Sequence, residues 1–406
     1  MRKLIQPFVA LRPHPQIANS VIAPPYDVLN DAEARVMVKN KPNSFLHISK
    51  PQVDLPESID PYSEIVYQKG KDNFDRLQSD GILLRDKKPC FYIYRIECDG
   101  HQQTGVSCVA SVDAYDCNII KKHELTRPKK EDDRVKQISF LKAQTGPVLL
   151  VHKKSSEIKE TINLLCNSLP DYKVISDDGN VHSLWVINNQ NFIDKITYSF
   201  NNLDHLYIAD GHHRSAAASR VAKLMKNNNN AQFFLSVIFS EDELQILPYN
   251  RVIKNLNNLL PKELLNHIEN SFDISLSKKH FQPKRSHQFG MYLRGKWYKL
   301  SLKKNIENKD TVSKLDVSIL HNEIIEPFLG ISDPRRDPSI DFVGGVRGLK
   351  ELSNRVDSGE MELAFSLFST QVKDLMLIAD SNKIMPPKST WFEPKLVDGL
   401  ISHVLD

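Results

Sequence analysis

The run Leu206-Tyr-Ile-Ala-Asp-Gly-His-His-Arg-Ser-Ala-Ala-Ala-Ser-Arg220 holds the densest group of residues able to do chemistry. Its apolar start reads as a strand ending at Ala209, Asp210-Gly211 as a tight turn, and the alanine-rich remainder as a helix beginning near Arg214. At a helix start the backbone N–H groups lack intrahelical partners and the dipole is positive, which favours an anion. Gly211 lets the main chain approach closely, and Arg214 offers a planar charged fork suited to phosphate. His212 and His213 add donors or a proton acceptor. Ala216, Ala217 and Ala218 allow close packing on a sheet. A turn in which Asp210 only caps the helix fits poorly with two histidines set between Asp-Gly and Arg. An anion or metal site is the better reading.

The second group runs from Lys121 to Arg134, Lys-Lys-His-Glu-Leu-Thr-Arg-Pro-Lys-Lys-Glu-Asp-Asp-Arg. His123-Glu124 begins like a zinc-protease helix, but position 127 is Arg where the second His is needed. Pro128 is read as breaking any helix there, so the zinc-protease reading fails. What remains reads as a loop carrying Lys121, Lys122, Arg127, Lys129 and Lys130. Such a loop can grip a triphosphate while a carboxylate orients a hydroxyl or Mg²⁺. Composition alone serves a solvated charge cluster equally well. In Ala23-Pro-Pro-Tyr-Asp-Val28 two prolines fix Tyr26 and Asp27, and by itself the segment reads first as a structural turn. Asp333 to Gly345 and Met385 to Leu396 are dense in Pro and charge, which suits functional loops without spelling a mechanism. Walker A, Gly-x-Gly-x-x-Gly and Gly-x-Ser-x-Gly patterns are absent, which weakens P-loop, Rossmann and α/β-hydrolase readings.

These groups need a scaffold, and the chain is long enough to supply one. Its 406 residues support two to three domains, and 40% hydrophobic with 26% charged residues is a globular composition. A net charge of +4 with no concentrated basic face gives no sign of a nucleic-acid partner. No apolar run approaches the ~20 residues of a membrane span, and residues 1–16 lack the apolar core of a signal peptide. Five cysteines without a Cys-x-x-Cys pair read as reduced thiols in a cytoplasmic protein.

Strands are expected at Phe91–Glu97 and Gln103–Tyr115 around an Asp99-Gly100 hairpin turn. Others are expected at 146–151, 184–187, 206–209, 232–239 and 244–247, with a further hairpin around Gly295. Helices are expected at 31–39, 61–80, 134–143, 155–168, 215–226, 261–271, 317–328 and 372–379, and a surface loop at 303–310. Irregular alternation with hairpins predicts an α+β fold of mixed sheets and packed helices. The expected domains are 1–255 and 256–406.

Taken together these segments resemble the prokaryotic proteins catalogued as domain of unknown function 1015. The resemblance rests on Ala23-Pro-Pro-Tyr-Asp-Val, on His123-Glu-Leu-Thr-Arg-Pro closing at Asp133-Arg134, and on Ala209-Asp-Gly-His-His-Arg. The Leu315-Asp-Val-Ser block, Asp341-Phe-Val-Gly-Gly and Met385-Pro-Pro-Lys-Ser-Thr-Trp-Phe-Glu-Pro-Lys complete it. The Asp210 turn also resembles the phosphate-binding turn of the ParB/sulfiredoxin-like superfamily, whose free-serine kinases phosphorylate L-serine with ADP or ATP.

That resemblance implies a ParB/sulfiredoxin-like nucleotide-binding core within residues 1–255 and transfer of a phosphoryl group to a small hydroxylated metabolite. Gly211, His212, His213 and Arg214 would cradle the nucleotide phosphates, with Arg134 beside them. Arg127 and Lys129 would neutralise developing charge, and Asp210 would hold Mg²⁺ in part. Those kinases use an N-terminal glutamate that has no aligned counterpart here. Glu124 and Asp27 are the two carboxylates open to the base role, with His123 orienting one of them. Two other readings stand beside this one. One is a nucleotide-sensing or ligand-binding module without chemistry, and the other a metal-dependent hydrolase using His123, His212 and His213.

Overall fold

The computed structural model describes residues 3–304 and 306–406. Met1 and Arg2 of the stretch read for a leader, and Asn305 of the polar run 303–310, lie outside the described residues. The chain divides into two compact units, Met1–Leu244 with Pro394–Asp406, and Gln245–Glu393. The second unit opens before the expected boundary at 255/256, because Tyr249–Ile253 is an interior strand of its sheet. The final residues return to the first unit. Ser402–Val404 pairs there with Ala10–Pro13 on one side and Ala143–Gln144 on the other.

The first unit is built on a nine-stranded mixed sheet. Its strands are β1 (Ile5–Gln6), β2 (Phe91–Cys98), β3 (His101–Ser111), β4 (Ile120–Lys121) and β5 (Val148–His152). They continue as β6 (Tyr172–Ile175), β7 (Val181–Ile187), β8 (Leu206–Asp210) and β9 (Phe233–Ser240). The order is β4-β8-β5-β9-β3-β2-β7-β6, with β1 added on β3. Pairing is parallel for β8 with β4 and for β9 with β5, and antiparallel between the other neighbours.

The expected turn between β2 and β3 is present. Asp99 and Gly100 take φ of 46° and 81°, the left-handed pair that a two-residue hairpin turn requires. The second strand stops sooner than expected. Ser111 accepts a hydrogen bond from the Ala114 N–H at 3.2 Å and caps a short helix, Val112–Asp116.

Two helices matter for the site. Helix α1 covers Pro128–Leu141 and helix α2 His212–Leu224. Residues 128–134, expected as a loop, are the first two turns of α1. Pro128 sits at the first helical position, where its fixed φ suits the helix and its missing N–H costs nothing. Helix α2 likewise starts at His212 rather than near Arg214, with Gly211 as its cap. Ala216, Ala218 and Ala222 pack into the core beneath the sheet, while Ala217 and Val221 pack with Val135 and Ile138 of α1. Small side chains on two faces let α2 lie close to both the sheet and α1. All five cysteines are free thiols, two of them buried.

The second unit holds a six-stranded antiparallel sheet. Its order is Phe272–Ser277, Lys296–Leu302, Gln288–Leu293, Leu363–Leu367, Tyr249–Ile253 and Ile340–Gly344. The hairpin expected around Gly295 is there, with Arg294 and Gly295 both at positive φ. Gln245–Leu247 pairs separately with Trp391–Glu393. Among the described residues no helix is long and apolar enough to cross a membrane.

Candidate active site

Strand β8 prepares the turn by an irregularity. Ile208 pairs with Leu150 and Asp210 with Leu149, so Ala209 is an inserted residue that bends the strand end. Gly211 follows at φ +100°, a conformation that side-chain-bearing residues rarely adopt. The Arg214 guanidinium folds back against it, so a Cβ at position 211 would lie 3.1 Å from Nε and 3.2 Å from Cζ. Arg214 donates to the Pro147 carbonyl and faces Asp210 Oδ2 at 3.4 Å. Lys395 Nζ approaches the same oxygen at 3.4 Å.

Asp210 was expected to hold Mg²⁺. In the structure its Oδ2 instead faces two cations. Burial alone would raise this carboxyl, but Lys395 first and Arg214 second hold it well below the usual carboxylate range. Arg214 itself is 12% exposed. Its fork is turned inward to organise the turn, where the sequence suggested a side chain reaching out to phosphate.

The segment from His123 to Pro128 meets this turn directly. The backbone N–H of Arg127 donates to His213 Nε2 at 3.0 Å, and that of His123 approaches His212 Nε2 at 3.5 Å. The His123 and His212 rings meet edge to face, with centroids 4.4 Å apart and planes at 89°. Glu124 Oε2 lies 4.0 Å from His212 Nδ1. Burial, then the neighbouring His123, drives His212 well below the ordinary histidine range. His123 falls to about 4, chiefly through burial. His213 is lowered by burial and by Arg127 and Lys130, against the opposing field of Asp27. All three rings are therefore neutral at pH 7.

The amino ends of α1 and α2 thus lie within one hydrogen bond of each other. Neither carries a side-chain cap, since Arg127 and Gly211 stand at the cap positions. Two positive helix dipole ends converge on one region, where they favour an anion more than either would alone.

The third wall is the Pro24-Pro25-Tyr26-Asp27 turn. Val28 N–H donates to the Pro25 carbonyl at 3.3 Å, and buried Lys50 donates to the Leu29 carbonyl at 3.1 Å. Arg134 of α1 stacks on Tyr26, with Cζ 3.8 Å from the ring centroid. It also pairs with Asp133 at 2.7 Å, and Asp133 in turn accepts from the Tyr67 hydroxyl at 2.8 Å. Ala23 and Asp398 exchange backbone hydrogen bonds at 3.1 and 2.9 Å, which seats the returning C-terminal segment against this turn. A cavity of about 30 Å³, lined in part by Tyr26, Arg134, Gly146, Arg214 and Asp398, lies between these groups. That is room for a water and not for a nucleotide.

Of the residues singled out from sequence, the structure brings together His123, Glu124, Asp210, Gly211, His212, His213 and Arg214, with the Arg127 backbone. Asp27 is exposed, and its charge acts on His213, Arg214 and Arg134. Arg134 packs largely enclosed against Tyr26 and Asp133 and shapes the wall. Lys129 is not drawn into the turn: it is exposed, with Nζ 4.4 Å from the Tyr62 ring centroid. The third histidine of the hydrolase reading is also otherwise engaged, since His213 Nε2 accepts the Arg127 N–H.

Sequence reasoning missed Lys395, Asp398 and Lys50. Lys395 closes the Met385–Lys395 block, which was the one signal available for it.

Asp398 gives a direct test of this electrostatic arrangement. Burial raises its carboxyl to about 7 despite the nearby Arg214. Its folded value lies above the unfolded one, so the folded state binds the proton more tightly. Stability from this group is complete below about pH 4 and is lost as pH rises through 7. Asp398→Asn should therefore melt above the wild type at pH 8, the gap closing at pH 4.5. Equal melting temperatures at pH 8 would contradict a buried carboxylate that Arg214 and Arg134 compensate only in part.

Comparison with known proteins places this arrangement in a family. Among solved structures, a free serine kinase in complex with AMP is similar at 14% identity, covering 70% of this chain and 86% of that chain, with a TM-score of 0.36. SbnI with C-terminal truncation from Staphylococcus aureus is similar at 9% identity, covering 72% and 85%, with a TM-score of 0.39. A conserved hypothetical protein from Pyrococcus furiosus is similar at 13% identity, covering 70% and 90%, with a TM-score of 0.34. Superpositions this loose carry no functional argument. No curated protein matches the chain. The family described as "Protein of unknown function (DUF1015)" matches residues 5–318, a span that holds all three walls of the site except the returning segment, and the chain belongs to that family.

Proposed function

We propose that this protein is a nucleotide-dependent phosphotransferase acting on the hydroxyl group of a small metabolite, with free L-serine as the first acceptor to test. The observation that carries the reading is the convergence of two uncapped helix amino ends at the Asp210–Arg214 turn, beside accessible carboxylates. Phosphoryl transfer needs little covalent chemistry from a protein. It needs fixed positive charge around the moving group and one acceptor for the hydroxyl proton.

In this reading the Gly211–Arg214 turn holds the phosphates of ATP or ADP through backbone N–H groups, with His212 and His213 beside them. The exposed Arg127 guanidinium offsets charge building on the transferred group. The acceptor oxygen attacks the terminal phosphorus, the bond from that phosphorus to the bridging oxygen breaks, and the hydroxyl proton passes to Asp27 or Glu124. A divalent ion, when bound, would supply charge neutralisation for the phosphates.

The test is purified protein with Mg²⁺, ATP or ADP, and a panel of free amino acids and small alcohols, read by mass spectrometry. A phosphorylated acceptor, O-phosphoserine first among them, is the expected product. One observation also favours a binding-only module: Arg214 is already engaged by Asp210 and Pro147, an arrangement equally suited to sensing a nucleotide. Nucleotide binding with no phosphorylated product would establish that second reading.

A further inference from the structure

We infer that His123, Glu124 and His212 form a binding site for a divalent transition-metal ion at the edge of the phosphate-binding turn. Their ligand atoms all lie within 4.8 Å of one another, which small side-chain rotations convert to the ~2.1 Å bonds of a zinc or cobalt centre. The two histidines are 2% and 5% exposed. Neither ring nitrogen of His123 makes a hydrogen bond of regular geometry, although the Ile208 backbone lies close enough to favour the protonated ring slightly.

A buried imidazole that makes no hydrogen bond of regular geometry is costly, because its polar atoms leave water and gain little in return. Such groups in native proteins have a partner, and here a second imidazole and a carboxylate lie within reach. The contact from the His123 N–H to His212 Nε2, at 3.5 Å, is at the weak limit of hydrogen bonding, and Glu124 faces the other ring nitrogen.

The neighbouring candidates are engaged elsewhere. His213 accepts the Arg127 N–H, and Asp210 faces Lys395 and Arg214. Three protein donors therefore surround the ion. Glu124, with 41% of its side chain exposed, leaves one side open to solvent, as catalytic centres do. Two imidazoles and one carboxylate suit zinc, cobalt or manganese better than magnesium, which prefers an all-oxygen shell.

The ion's role in the reaction rests on the phosphotransferase reading, but its binding does not. The inference also divides the two carboxylates. Glu124 becomes a metal ligand, and Asp27 is left to receive the hydroxyl proton.

The experiment is titration of the chelator-stripped full chain with Co²⁺, without nucleotide, followed by visible absorption, and with Zn²⁺ by calorimetry. One equivalent of Co²⁺ with ligand-field bands is expected, together with a rise in melting temperature. Glu124→Gln, at a half-exposed position that tolerates the change, should weaken Co²⁺ binding by about 100-fold, at the upper end of what losing a mere outer partner costs. His123→Gln should remove the bands, with its melting curve recorded to separate misfolding from ligand loss. His213→Gln should keep them. No Co²⁺ or Zn²⁺ binding by the wild-type chain, or equal binding by Glu124→Gln, would overturn the site. Loss in His213→Gln matching that in Glu124→Gln would overturn this ligand set. A protein that transfers phosphate with Mg²⁺ yet binds neither metal would remove this inference and leave the phosphotransferase standing.

Discussion

Replacing Arg214 by Ala should reduce kcat/KM for phosphoryl transfer by about 10³-fold or more and weaken nucleotide binding with it. The guanidinium is the strut of the turn. It packs on Gly211, donates to the Pro147 carbonyl and balances Asp210 together with Lys395. Its removal leaves Asp210 with one cation and the Pro147 carbonyl without this donor. A drop in melting temperature should therefore accompany the loss of turnover. Arg214→Lys should recover part of the stability and little of the activity, because one ammonium cannot serve both Pro147 and Asp210 in the geometry of a planar fork. Full activity in Arg214→Ala would remove the turn from the mechanism.

Asp27→Asn should lower kcat by roughly 10²–10⁴-fold while nucleotide affinity and Co²⁺ binding stay at wild-type values, the signature of a lost proton acceptor. Asp27 is suited to this part. It is exposed at the end of a turn pinned by Lys50, and its charge reaches both His213 and Arg214. Glu124→Gln should behave differently, losing metal and turnover together. If Asp27→Asn instead turns over normally while Glu124→Gln loses turnover with metal retained, Glu124 is the proton acceptor and is not a metal ligand.

How much of this site could be read in the chain depends on how local each part is. The strand, turn and helix around Asp210 are set by neighbours a few residues apart, and the order Asp-Gly-His-His-Arg already points to an anion at a helix start. Pro128 shows the limit of local reading. A proline both ends helices and begins them, and only the packing of Val135 and Ile138 on α2 decides that this one begins a helix. Arg214 and Arg134 were legible as charges but not as largely enclosed ones, since enclosure depends on partners such as Tyr26 and Pro147 distant in sequence. Lys395 was out of reach for the same reason, because it meets Asp210 across 185 residues. In the second unit the strands Phe272–Ser277, Ile340–Gly344 and Leu363–Leu367 escaped notice. Only the last of these is buried at every position, and each is defined by strands far along the chain.

The return of residues 394–406 to the first unit has a consequence for how the protein comes into being on the ribosome. The Asp210 turn, both helices and all nine strands of the sheet have been translated before the second unit begins. Lys395 and Asp398 follow only after it. A nascent chain at that stage carries the turn with Asp210 opposed by Arg214 alone and with the Ala23 backbone waiting for its partner. Competence is thus acquired late in synthesis. A ribosome-stalled chain ending before residue 394 should bind nucleotide poorly although its first unit is already largely made.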